Sequence, residues 1–305
     1  MSTPTETTLS GIAIQQYLID EIYRTLGLSP TGLVRKLTGP IFSHPTRRLS
    51  QIASEFDTQI KQLGPRAAFQ WLLPFFANGY QATGQEHLPT EGPLLVIANH
   101  PGTMDTILIS SILPRDDLKI IAGYSPFTQN LPHLRAHLIY SAPDTNARAA
   151  VVRTAIHHLN AGGALLLYPS GQLEPDPATL PGAVESLQTW SRSVELFLRA
   201  VPATRLVSIV VSHVLLPQFL RHPLARFRKQ PKDRQRVAEF LQVIYQLLFP
   251  KHFLPTPSIT LSEPVCAATL QSQAGKHLMP ALQSQFQQLL EVHRTHYALH
   301  FASSR

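Results

Sequence analysis

Thiols are nearly absent. Cys266 is the single cysteine of the chain, so no internal disulfide can form and no multi-cysteine zinc site can be assembled. That usage fits a reducing cytoplasm. Charge is scarce too: charged residues make up 15% of the sequence, against about 25% in an ordinary soluble domain, and a surface short of charge often leans on a membrane or a partner. Long apolar runs are missing; nothing approaches the roughly 18–20 consecutive apolar residues that a bilayer-spanning helix requires. The first residues, Met-Ser-Thr-Pro-Thr-Glu-Thr-Thr, hold neither a basic nor an apolar region, so no signal peptide is expected. There is no glycine loop of the nucleotide-binding kind and no Gly-x-Ser-x-Gly elbow. The 14 histidines mostly stand singly, and the adjacent His157-His158 cannot face one site on a helix. Neither a metal nor a cofactor is expected.

What is present is a long, moderately apolar, basic chain. At 305 residues and 44% hydrophobic content it can bury a full core. Its net charge of +7 predicts attraction to anionic surfaces or partners. Residues 1–8 read as disordered. Ile12, Ile14, Tyr17, Leu18, Ile22 and Leu26 carry helical spacing, and Gly27 to Pro30 ends that helix, with a new cap at Ser29 or Thr31. Gly39-Pro40 and His44-Pro45 predict breaks before a longer helix from Thr46 to Ile60. An aromatic helix follows Gly64-Pro65. Residues 1–77 are thus expected to be a helical region.

From Tyr80 the pattern alternates between α and β. Apolar runs at 94–98, 118–122, 138–140, 164–168, 206–211 and 258–261 are separated by helical segments at 104–113, 146–160 and 182–200. This predicts an α/β fold with a largely parallel central sheet and helices on both faces. The α/β domain is expected over 78–265 and a C-terminal helix within 266–305. Residues 221–236 hold seven Lys or Arg against one Asp. Beside the apolar helix that follows, this run suits an anionic membrane surface or an acidic carrier protein. No nucleic-acid reading motif accompanies it.

The chemistry centres on 99–105, Asn-His-Pro-Gly-Thr-Met-Asp. On one continuous helix His100 and Asp105 would lie about 140° apart. They can meet only if His100 precedes the helix and the chain turns between them. Pro101-Gly102 supplies a turn and Thr103 a cap. Asp105 then fixes one imidazole nitrogen and leaves the other free as a base. Gly102, Thr103 and Gly171 are candidate backbone donors for an oxyanion. Glu174-Pro175-Asp176-Pro177 reads as a stiff acidic rim or lid.

The stretch Gly84-Gln85-Glu86-His87-Leu88-Pro89, then Gly92 to Asn99-His100, then Asp105, resembles the glycerolipid acyltransferases, where a Gly-x-Glu-Asn-Leu-Pro-like segment leads to a strand ending in Asn-His-x-x-x-x-Asp. The resemblance spans about 80–215. It implies transfer of a fatty acyl group from acyl-CoA or acyl carrier protein to a hydroxyl of a glycerolipid-type acceptor such as lysophosphatidate. His100 and Asp105 would be catalytic, and Asn99, Gly102, Thr103, Arg148, Tyr168, Pro169, Ser170 and Gly171 would meet substrate. Gly162 to Gly171 resembles the family's Gly-Gly, strand, Phe-Pro-Glu-Gly-Thr-Arg block, with Tyr168 for Phe, Ser170 for Glu and Gln172-Leu173 for Thr-Arg. A family Arg falls near Ala142. Arg148 or Arg153 could replace the lost cations, and Glu174 the carboxylate. These departures keep a second reading open, a lipid- or membrane-surface binding protein on the same fold. A hydrolase using Ser170 is a third. The expected location is cytoplasmic and peripheral at the membrane.

Overall fold

The computed structural model describes residues 11–26, 33–141 and 145–303. Residues 1–8, the cap expected at Ser29 or Thr31, and Ala142 fall outside them. The apolar runs become the strands β2 (Leu94–Ala98), β3 (Lys119–Ala122), β4 (Leu138–Tyr140), β5 (Ala164–Leu167), β6 (Arg205–Ser212) and β7 (Ser258–Leu261), and two short strands that no apolar run marks, β1 (Gln81–Thr83) and β8 (Val265–Cys266), join them. Their order is β1-β7-β6-β2-β5-β3-β4, with β8 also pairing β6. Strands β6, β2, β5, β3 and β4 run parallel, while β7 is antiparallel to β6 and parallel to β1.

Every residue of β2 and β5 is buried, which is why both read as unbroken apolar runs rather than alternating ones. Successive side chains still go to opposite faces. Leu94, Val96 and Ala98 join one apolar cluster with Leu166 and Val207, while Leu95, Ile97, Leu165 and Leu206 join another.

The first cluster is covered by α2 (Leu33–Leu63), α3 (Pro65–Leu72), α4 (Thr103–Ile112) and α7 (Pro231–Leu248). The second is covered by α5 (Thr145–Asn160), α6 (Ser193–Ala200), α8 (Ala267–Ala274) and α9 (Leu278–Ser303). The helix α1 (Gly11–Leu26) precedes them. Asp57 of α2 ties the helical region to the sheet side, its Oδ1 accepting His133 N at 2.9 Å and Leu134 N at 2.8 Å. No helix among the described residues is long and apolar enough to cross a membrane.

Two expected boundaries differ. Helix α2 runs through Gly39-Pro40 and His44-Pro45 instead of breaking. A helical proline removes a backbone donor, yet the helix continues, and two side chains bond carbonyls of the turn before Pro45: Thr46 Oγ1 to Phe42 O (2.7 Å) and Gln15 Nε2 to Ser43 O (3.0 Å). Conversely, the helix expected over 182–200 is interrupted. A short piece ends in a 3₁₀ turn at Thr189, Trp190 is extended, and α6 starts at Ser193. That interruption turns Trp190 towards the site described next.

Candidate active site

Strand β2 lies inside the sheet, and its carboxyl end opens where ligands meet parallel sheets. The next residue, Asn99, is 4% exposed. Its Nδ2 donates to Val211 O at 2.9 Å and its Oδ1 accepts Val211 N at 2.8 Å. An unpaired buried polar group costs about 1–3 kcal/mol, so this amide is committed to pinning β2 against β6.

His100 then leaves the sheet, Pro101-Gly102 turns the chain, and α4 begins. Gly102, not Thr103, is the cap residue. Asp105, fully buried, reaches back from the first turn: its Oδ2 accepts Gly102 N at 3.1 Å and stands 2.9 Å from His100 Nδ1, with Oδ1 at 3.1 Å. Since a carboxylate only accepts, Nδ1 carries the proton and Nε2 the lone pair, a tautomer assigned from the hydrogen bonds. Nε2 has no hydrogen-bond partner among the described residues, and the side chain is 24% exposed. Burial opposes protonation of the ring. Asp105, then Glu239 and Glu174, outweigh it, and the His100 pKa lies above its ordinary value.

Tyr168, one residue past β5, completes the pair's surroundings. Its ring stacks on His100 with centroids 4.2 Å apart, and its hydroxyl donates to Asp105 Oδ1 at 2.9 Å. Thr106 Oγ1 lies 2.8 Å from the same hydroxyl. Burial, reinforced by Asp105, lifts the Tyr168 pKa well above its usual value, so the phenol stays a donor.

The chain after Tyr168 folds back through a turn. Gly171 has φ +65°, the left-handed region that favours glycine, and its N donates to Tyr168 O at 3.0 Å. Ser170 Oγ donates to Gln172 O at 2.8 Å, and Pro169 O accepts Ser191 N at 2.8 Å. Arg148 is exposed in the first turn of α5.

The acidic segment 174–177 is not a solvated rim; Glu174 and Asp176 are 2% and 0% exposed. Glu174 exchanges bonds with the main chain of His100, His100 N donating to Oε2 at 2.9 Å and Glu174 N to His100 O at 2.8 Å. Glu174 Oε1 accepts Trp190 Nε1 at 2.9 Å and Ser186 Oγ at 3.1 Å. Burial raises its pKa against these donors. Asp176 accepts Ala178 N, His213 N and Val214 N at 2.9, 3.1 and 3.0 Å. Backbone N–H groups satisfy Asp176, and one backbone N–H with two side-chain donors satisfies Glu174.

Helix α7 closes the other side. Gln235 Nε2 donates to Pro101 O at 2.8 Å and Glu174 O at 2.7 Å. One turn on, the Glu239 carboxylate accepts Thr103 N at the head of α4. A β-carbon placed on Gly102 would lie 3.0 Å from Glu239 Oε1, a tight contact that glycine leaves open. Burial raises the Glu239 pKa, with the Thr103 N–H pulling the other way. All three candidate oxyanion donors are therefore engaged: Gly102 N by Asp105, Thr103 N by Glu239, Gly171 N by Tyr168 O.

His100, Asp105, Gly102, Thr103 and Tyr168 thus come together, while the Asn99 amide and the Ser170 hydroxyl are engaged elsewhere. Thr106, Trp190, Gln235, Glu239 and the backbone role of Glu174 escaped the sequence reading. One signal was available: Gln235 and Glu239 stand one turn apart beside Val237, Ala238 and Leu241, polar residues set into an apolar stripe. Among the described residues no group of three or more His, Cys, Asp or Glu could hold a metal ion.

A family model described as Acyltransferase matches residues 80–211, the stretch from β1 to the end of β6. The chain is also similar to the crystal structure of the 1-acyl-sn-glycerophosphate (LPA) acyltransferase, PlsC, from Thermotoga maritima, with 15% identity over 92% of this chain and 93% of that one, at a TM-score of 0.44. Comparison with curated proteins gives no match.

Proposed function

We propose that the chain moves a fatty acyl group from a thioester donor, acyl-CoA or acyl carrier protein, to a hydroxyl of a glycerolipid-type acceptor such as lysophosphatidate. One observation carries this reading: a His100 Nε2 free to accept a proton, on a ring held by a buried Asp105. His100 takes the proton of the acceptor hydroxyl, and that oxygen attacks the thioester carbonyl. The tetrahedral oxyanion collapses, the carbon–sulfur bond breaks, and the imidazolium returns its proton to the departing thiolate. Asp105 stabilises the imidazolium between these transfers. For the oxyanion, Thr103 N is the donor whose present partner is a movable side chain. Withdrawal of Glu239 would expose it at a helix N-terminus, where negative charge is favoured.

The test is thiol release with a panel of lipid acceptors. Positioned general-base help is worth about 10²–10⁴-fold, so His100→Ala should lower transfer by that order in a chain that still folds. Near-normal turnover of the variant would sink the mechanism. The engaged state of Gly102 N, Thr103 N and Gly171 N favours a second reading, a catalytically altered lipid-surface binding protein. It predicts vesicle binding with no acceptor-dependent thiol release.

The proposed setting is a peripheral one at an anionic, cytoplasmic-side membrane. Supporting it, Leu224 and Phe227 are 46% and 82% exposed within the basic run, beside Arg226, Arg228 and Lys229. Apolar side chains flanked by cations suit the headgroup boundary of anionic lipids.

A further inference from the structure

An open pocket of about 400 Å³ is lined by Ala178, Thr179, Leu180, Pro217, Leu220, Arg221 and Arg234. None of its lining residues is acidic. Neither guanidinium makes a hydrogen bond or ion pair among the described residues. Both arginines are exposed and line the same pocket, and an anion bound between two like charges is attracted by both. The walls are built rather than loose. Asp176 ties the 176–178 segment to the backbone beyond β6. Gln235, the neighbour of Arg234, is bonded to Pro101 O and Glu174 O beside His100. Lys232 Nζ, two residues earlier, donates to Gln172 Oε1 at 3.0 Å, carrying a further cation towards the turn after Tyr168.

We infer that this cavity binds the phosphate of a phosphorylated substrate, with Arg221 and Arg234 as its ligands. A guanidinium offers planar, paired donors that match phosphate oxygens. The Leu180, Pro217 and Leu220 wall suits the carbon skeleton attached to that phosphate. The inference rests on the acyl-transfer reading for which substrate carries the phosphate, the acceptor lipid or the coenzyme of the donor, but the anion site itself does not.

Two measurements on the full chain test it. In the first, unfolding midpoints are compared in inorganic phosphate and in chloride at equal ionic strength. Phosphate should protect the wild-type chain and the control Arg236→Gln, and should fail to protect the double variant Arg221→Gln/Arg234→Gln. In the second, KM is compared for lysophosphatidate against monoacylglycerol, and for acyl-CoA against acyl-pantetheine. The double variant should raise KM roughly 10- to 100-fold for the phosphorylated member of one pair, with kcat within about threefold. A rise with lysophosphatidate assigns the site to the acceptor, and a rise with acyl-CoA assigns it to the donor. A double variant that keeps both phosphate protection and wild-type KM values overturns the inference. If no pair supports transfer, the acyl-transfer reading fails, and phosphate protection alone decides the anion site.

Discussion

Tyr168 touches both members of the central pair: its ring stacks on His100 at 4.2 Å and its hydroxyl donates to Asp105 Oδ1 at 2.9 Å. Tyr168→Phe keeps the stacked ring and removes the donor. A net hydrogen bond of about 1 kcal/mol corresponds to a several-fold change, so kcat should fall by roughly three- to tenfold. Asp105, less satisfied, should pull harder on the imidazolium and move the acidic limb of the pH profile upward. An unchanged limb would mean that the phenol serves packing alone.

The pH dependence follows from the raised His100 pKa. A base must be neutral, so kcat/KM should rise with pH through a value above 6.5 and then level. Asp105→Asn removes the strongest of the charges that raise this pKa, so its limb should move to lower pH while the plateau falls. For stability the sign is opposite. The charged pair's contribution is full below the unfolded-state pKa of His and is lost as pH rises through the folded value. Chemical denaturation of wild type and His100→Ala across that range measures it.

Glu174 behaves in another way. Its pKa is raised by burial, and Trp190, His100 N and Ser186 hold it down. An acid with a raised folded pKa binds its proton more tightly when folded, so it costs stability as pH climbs through that pKa. Trp190→Phe removes the indole donor and should destabilise by about 1–3 kcal/mol. Denaturant unfolding should show a larger loss at pH 7 than at pH 5. Equal losses would point to packing against Phe286, 4.6 Å from the Trp190 ring, as the whole effect.

Phe227 gives the membrane reading its sharpest test. Phe227→Ser should weaken binding to vesicles rich in anionic lipid, and raised salt should weaken wild-type binding through screening of the basic run. Sedimentation with anionic and neutral vesicles reads both. Salt-insensitive binding that Phe227→Ser leaves intact would move the contact surface to another part of the chain.

The sequence could reveal what lies close along it. The inner strands show because burial on both faces leaves continuous apolar runs, and His100 and Asp105 show because one turn links them. Strand β1, Gln81–Thr83, carries no apolar run and was invisible. So was the reversal at β7, because a strand's direction leaves no mark on its composition. The partners that frame His100 come from far away: Glu174 at a separation of 74 residues and, at Thr103, Glu239 at 136. Glu174 and Asp176 looked like rim residues because acids are usually exposed. Their backbone donors are created only by the fold. Trp190 lay hidden inside an expected helix whose break is itself part of the site.

The reciprocal exchange between His100 and Glu174 has a mechanical consequence. One main-chain bond, from Glu174 N to His100 O, and one from His100 N to the Glu174 carboxylate tie the His100 backbone to the segment after β5, and Asn99 ties β2 to β6. The imidazole therefore stands on a rigid block. Helix α7 meets that block through Gln235 and Glu239, side chains that rotate without breaking the sheet. A ligand that displaced these two side chains would leave the imidazole in its place.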